Sequence, residues 1–322
     1  MGSGFSELAE NISLQFDKTG QFIYQTDEIV SGTVKFFNDG KSELKLKSIF
    51  IELVGEIVYY RTRDSGTSRR ASMHVETFFT ERQMIRTVEK GDSFILESGN
   101  YTWPFSLSLV ASLPSTLEQT RHEGPYLRYV VRIQLIQSEW HKKNIQKACF
   151  ITVQSVLSPI PMIESKDDNK NEKSVHLHAI LQNNIVVAGK KLILRVDLHN
   201  QNRALINRIS LTLIQQRLLG SAVKEELTLL KENLNGIHDF QDENLHDKFE
   251  FCLPEKIAPS CSYIPEWSNR KPITVCYEVH LEAHVHGLCR NIHLRLPLTI
   301  VHAKQQINNE ILPPPSYEKI SP

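Results

Sequence analysis

The sequence predicts an all-β protein: two antiparallel immunoglobulin-like β-sandwich domains followed by a short disordered C-terminal tail. Three observations carry this reading. Hydrophobicity alternates with period two over most of the chain, a polar break falls near the middle, and segments on either side of the break loosely repeat.

The alternation is clearest from Ile273 to Val285, where every odd position is apolar and the even positions are mostly polar. On a strand such spacing sends one face to a core and the other to water. The same pattern recurs at Ile12, Leu14 and Phe16, at Tyr129 to Leu135, at Leu192 to Leu198 and at Ile292 to Ile300. Many half-buried strands separated by turn residues point to sandwiches. Helical periodicity is scarce, with one short helix expected near Lys224 to Leu230, so a βαβ enzyme core is not expected.

The break runs from Ser158 to Ser174, opening with Pro159 and Pro161 and continuing as a charged, polar run. Such composition buries little apolar surface. It divides the chain into an N-terminal domain (1–157), a linker (158–174), a C-terminal domain (175–303) and a Pro-rich tail (304–322). The halves echo each other. Asp27–Asn38 followed by Ile49–Leu53 parallels Gly189–Asn200 followed by Ile209–Leu213, and Leu113-Pro114-Ser115 parallels Ala258-Pro259-Ser260. An internal duplication is therefore expected.

Composition narrows the function. Lys plus Arg and Asp plus Glu each number 37 in 322 residues, and this balance argues against a nucleic-acid partner. Five cysteines without a CxxC suggest packed thiols, not a disulfide framework or zinc ribbon. No basic stretch followed by an apolar run opens the chain, and no apolar stretch is long enough to span a bilayer, so a cytoplasmic location is expected. Nucleotide-binding, nucleophile-elbow and metalloprotease motifs are absent, and no cofactor is expected.

The order of these pieces resembles the arrestin family, in its α-arrestin (arrestin-domain-containing) branch. The resemblance rests on Asp27–Asn38, Gly99–Phe105, Leu113–Leu117, Val186–Asn200, Ile209–Gln216, Ile257–Ser260 and Leu296–Ile300. It implies the arrestin fold and a non-catalytic scaffold for cytoplasmic parts of membrane receptors or transporters. It also implies recruitment of a ubiquitin ligase, with traffic to plasma membrane and endosomes. A retromer-type arrestin-like sorting subunit is the nearest alternative; a β-sandwich enzyme or sugar-binding module is a more distant one.

The sharpest motif lies in the tail. Pro314-Pro315-Ser316-Tyr317 fits the PPxY ligand of WW domains. Consecutive prolines pre-form a polyproline II strand that docks between aromatic side chains. The resemblance implies WW-domain HECT ubiquitin ligases as partners, with Tyr317 in a second pocket.

Three further motifs compete with plainer readings. Gly2 heads a myristoylation-like pattern, but Glu7 and Glu10 follow it and would repel anionic lipid. Peripheral membrane association would need a second signal. Arg69-Arg70-Ala71-Ser72 resembles a basophilic kinase site at Ser72, within an arginine-rich segment that otherwise reads as a solvated hairpin loop. His176/His178 and His284/His286 each share a strand face, but no carboxylate or thiol at supporting spacing is evident, so no metal is expected.

Overall fold

A computed structural model describes residues 7–41, 43–65, 68–89, 92–155, 165–172, 174–222, 224–265, 271–287 and 290–302. The strands are β1 (Ile12–Phe16), β2 (Ile23–Gln25), β3 (Ile29–Asn38), β4 (Leu44–Ser65), β5 (Ser68–Thr87), β6 (Phe94–Leu96), β7 (Gly99–Ser108), β8 (Tyr126–Gln137) and β9 (Ile145–Gln154). They continue as β10 (Ser165–Lys170), β11 (Val175–Leu181), β12 (Ile185–Val187), β13 (Lys191–Asn200), β14 (Ile206–Leu219), β15 (Glu225–Phe240), β16 (Asn244–Cys252), β17 (Cys261–Tyr263), β18 (Ile273–Val285) and β19 (Ile292–Val301). A 3-10 turn, Glu7–Ala9, precedes β1.

Contacts divide the chain into two compact units. One comprises Met1–Val156 with Arg217–Glu225 and Cys261–Thr274; the other comprises the remainder.

The strands form two small sheets and two larger ones. A three-stranded sheet, β1-β3-β7, accompanies β2-β9-β8-β4-β5, with β6 also on β4. In the second half, β10-β11-β13-β16 accompanies β12-β19-β18-β14-β15, with β17 also on β18. The larger sheets share one topology, down to a parallel pair at the same place: β2 with β9, and β12 with β19.

Side chains repeat with the topology. Thr116 N–H donates to the Val153 carbonyl while Thr116 Oγ1 accepts from Val153 N–H at 2.9 Å. Ser260 does the same with Ile300, its Oγ accepting at 2.9 Å. Val153 is paired with Tyr24 and Ile300 with Val186, so the correspondence carries across the parallel pairs. Asn38 and Asn200 close β3 and β13, and each buried amide donates to two main-chain carbonyls. The internal repeat read from the sequence recurs in strand order and side-chain bonding, with its register corrected by one residue. Ser260 corresponds to Thr116, so Ala258 matches Pro114, where the sequence echo had paired Ala258 with Leu113.

Two segments depart from expectation. Ser165–Lys170, placed in the linker, is a strand antiparallel to β11. Its main chain supplies the stability that its polar composition does not, and Arg295 N–H donates to Asp167 Oδ2 at 2.7 Å. Residues 158–164 lie outside those described. The helix expected near Lys224 to Leu230 is instead the start of β15, hydrogen-bonded to β14. Pairing along a long hairpin overrides local propensity there.

The cores are the alternating faces read from sequence. In the first half, Ile49, Ile51, Leu53, Tyr129, Val131, Ile133 and Leu135 are 0–1% exposed. In the second, Leu194, Val196, Leu211, Leu213, Val279, Leu281 and Leu296 are fully buried. β4 and β5 are held in contact by Gly55. Register shifts there from Gly55↔Phe79 to Glu56↔Thr77, leaving Phe78 as the extra residue of a bulge. A Cβ at position 55 would lie 2.5 Å from the Phe78 ring, so only glycine admits that buried ring.

Candidate interaction surfaces

The face of β8-β4-β5 away from the core buries charge, with Glu52 2% and Glu56 5% exposed. Phe50, Glu52, Val54 and Glu56 alternate with the core residues of β4. Glu52, 2% exposed, lies in one cross-strand row with Arg132 and Arg82. Arg132 Nε donates to it at 2.6 Å, Arg82 Nη2 at 2.8 Å and Gln134 Nε2 at 2.7 Å. Burial works to raise the Glu52 pKa, but these arginine hydrogen bonds and charges outweigh it and hold the carboxyl below its usual range. Arg128 Nε binds Glu56 Oε2 at 2.8 Å, and its guanidinium lies 5.1 Å from the exposed Phe150 ring. Every arginine here is satisfied by a carboxylate of the same face, which makes this a rigid, self-paired surface.

β4 and β5 continue past the sheet. β8 stops pairing with β4 at Val58, whereas β5 pairs with it as far as Ser65. The last seven residues of β4, Tyr59–Ser65, therefore form a two-stranded arm with β5, about 23 Å long at ~3.3 Å per residue. One side stacks His74 on Tyr59 at 5.6 Å and sets the Arg61 guanidinium 5.2 Å from the Tyr59 centroid. The other side pairs Val58 with Val75 and Tyr60 with Met73; Val75 is 45% and Met73 57% exposed. The segment read as a solvated loop is thus mostly paired strand.

Ser72 is exposed on this arm, directly opposite Arg61. Its Oγ lies 3.3 Å from the Arg61 carbonyl oxygen and 2.9 Å from His74 Nε2. Arg70 pairs with Arg63 and Arg69 with Asp64 in the ladder, which gathers cationic residues toward the tip. Pro314, Pro315 and Tyr317 of the tail motif, and Gly2, lie outside the described residues.

The histidine pairs behave differently from one another. His176 and His178 do point from one face of β11, and carboxylates stand beside them: Asp168 3.3 Å from His176 Nε2, and Asp197 3.4 Å from His178 Nδ1. Those partners come from β10 and β13 and are invisible to spacing along one strand. His284 sits by Ser210 and Asn291, while His286 falls just past the end of β18. Burial, the largest influence on His284, lowers its pKa. Among the described residues, no group of three or more His, Cys, Asp or Glu is arranged to hold a metal ion. No helix among them is long and apolar enough to cross a membrane.

Comparison with known proteins fits this architecture. Residues 12–158 match the family model described as "Arrestin (or S-antigen), N-terminal domain", and residues 171–305 match "Arrestin (or S-antigen), C-terminal domain". The chain is similar to a protein named "Arrestin domain-containing protein 17" from Caenorhabditis elegans, 29% identical over 152 residues. That match covers 45% of this chain and 34% of the relative, so the chain spans only about a third of the curated relative's length.

Proposed function

Because the chain belongs to the arrestin family, we propose that it is a non-catalytic trafficking adaptor of the α-arrestin branch. In this reading the sandwiches hold cytoplasmic parts of membrane receptors or transporters. Pro314-Pro315-Ser316-Tyr317 recruits a WW-domain HECT-type ubiquitin ligase. The ligase modifies the cargo, which then enters endocytic sorting at the plasma membrane and endosomes.

The observation that carries the reading is one of order. Two arrestin domain matches run in succession to residue 305, and a PPxY sequence follows at Pro314. Tethering ligase and cargo to one chain raises their effective concentration, so the adaptor needs no chemistry of its own. Tyr317 would fill a WW pocket with its ring, and phosphorylation there would place a dianion in an apolar contact.

The β4–β5 arm is the surface we assign to cargo, since Met73 is exposed on it, Val75 is exposed at its base, and the Arg61 guanidinium lies over Tyr59 on its other side. Phosphorylation of Ser72 would set a dianion opposite Arg61 and lower the positive charge of the arm, giving it a means of regulation. Acylation of Gly2 would add a weak membrane contact that needs a second signal.

The test is capture of WW-domain HECT ligases by the immobilised full chain. Tyr317→Ala should reduce capture at least about tenfold, the effect of losing one anchoring aromatic. Undiminished capture would remove the ligase from the proposal and make the tail motif incidental.

A further inference from the structure

The outward face of β10-β11-β13-β16 holds a lattice of histidines, lysines and aspartates set by strand register. One row reads Asp168, His178, Asp197, His246 across the four strands. The row on one side reads Lys166, Ile180, Arg195, Lys248, and on the other Lys170, His176, His199, Asn244. The inward neighbours Leu177, Ala179, Leu194, Val196 and Leu198 are 0–1% exposed, so the sheet itself is a fixed platform. Across four strands at ~4.8 Å spacing, the face is about 15 Å wide.

We propose that this face is a pH-gated docking surface for an anionic lipid bilayer, weakly cationic at neutral pH and strongly cationic at the pH of acidified compartments. The charge count supports this. With the histidines neutral, Lys166, Lys170, Arg195 and Lys248 are offset in part by Asp168 and Asp197. Histidine is the side chain that titrates between pH 5 and 8. Protonation of His176, His178, His199 and His246 adds positive charge beside lysines and an arginine without adding any negative charge.

The pairing reinforces the gate. His246 Nδ1 is 2.8 Å from Asp197 Oδ1, with His178 Nδ1 3.4 Å from Oδ2 and Arg195 Nε 3.4 Å from Oδ1. Burial opposes ionisation of Asp197, yet these partners hold its carboxyl below the usual range, so it remains a counter-charge to the imidazoliums as pH falls. His199 Nδ1 lies 2.6 Å from Asn244 Oδ1, and His176 Nε2 3.3 Å from Asp168 Oδ2. At the margins, Lys191 is paired with Glu250 at 2.7 Å. β19 runs along β10 through main-chain contacts of His293 and Arg295 with Asn169 and Asp167. Asp167 and Asp247 occupy positions out of step with the lattice rows.

The lattice is flat and polar, with Ile180 its one apolar member, which suits a planar array of headgroup phosphates and offers no groove to seat a peptide. The histidines on β18 form no equivalent. There burial works against protonation of His284. The inference is independent of the tail motif and of ligase recruitment.

The test is co-sedimentation of the full chain, carrying Gly2→Ala to exclude acylation, with phosphatidylcholine vesicles with or without about one-third phosphatidylserine. Binding to the anionic vesicles should strengthen at least about tenfold between roughly pH 7.4 and pH 5.5. His178→Gln with His246→Gln should abolish most of that gain. Lys166→Glu with Lys248→Glu, both at exposed positions, should remove binding at the lower pH while thermal melting stays as in the parent. Equal binding at the two pH values, equal binding to neutral vesicles, or lysine reversals without effect would overturn the proposal. So would pH-dependent binding of soluble polyglutamate in place of vesicles, which would assign the face to an acidic protein segment.

Discussion

Tyr129 and Tyr277 make the same bond in different sandwiches. Each is a buried residue of the strand that pairs with the long central strand, and each hydroxyl donates to a carbonyl of the preceding loop, Pro114 for one and Ala258 for the other. Thr116 and Ser260, two residues further on, fasten the same loops to the strands that end at Gln154 and Val301. A buried carbonyl that loses its donor is left unsatisfied at a cost of about 1–3 kcal/mol. Tyr129→Phe and Tyr277→Phe should therefore each destabilise by about 1–2 kcal/mol, read from urea unfolding. A change under a few tenths in either would mean that the shared bond is not a shared support.

Asn200 offers a sharper version of the same test. Its Nδ2 donates to the Ala204 and Asp242 carbonyls and its Oδ1 accepts from Ala204 N–H, with Asn200 itself 0% exposed. Asn200→Ala leaves these groups without partners and should cost about 2 kcal/mol or more. Asn200→Asp should be worse at neutral pH, because it turns a carboxylate toward two carbonyl oxygens. Thermal denaturation of the two variants side by side gives the order.

Glu52 should contribute acid-sensitive stability to the first sandwich. Its folded pKa is depressed below the ordinary 4.5, so its contribution is fully present above that value and is lost as pH falls through the folded value. Glu52→Gln should cost about 2 kcal/mol at neutral pH, discounted for the half-exposed Arg82. The gap between parent and variant should close progressively below about pH 4.5. A gap that stays constant down to strongly acid pH would show that the ionised carboxylate is not what is lost.

Gly55 and Phe78 should be coupled. Gly55→Ala places a methyl against a ring that is 4% exposed and cannot withdraw, costing about 1–3 kcal/mol. Adding Phe78→Leu should return part of that cost, and a double-mutant cycle measures the coupling. Strict additivity would locate the strain elsewhere.

What was legible in the sequence follows from what each element depends on. β18, β13 and β19 depend on burying one face, and Ile273–Val285 announces that face by its spacing. β10 depends on main-chain pairing with β11 and on the Arg295–Asp167 bond, so Ser165–Lys170 reads as a charged linker. β15 starts with Glu225-Glu226-Leu227, which has helix-forming composition and becomes strand only because β14 lies beside it. The surface chemistry was less accessible still. His176 and His178 were visible as a pair, but Asp168, Asp197, His199 and His246 join them only through register across four strands. Likewise nothing along β4 shows that Glu52 meets Arg132, eighty residues later.

As proposed, the chain holds cargo with its body and borrows catalysis through its tail. Proximity labelling in cells, comparing the full chain with a version ending before Lys304, tests both halves at once. HECT ligases should disappear from the labelled set of the shortened chain while membrane-protein cargo remains. Ligases retained at full strength without residues 304–322, or cargo lost together with them, would contradict it.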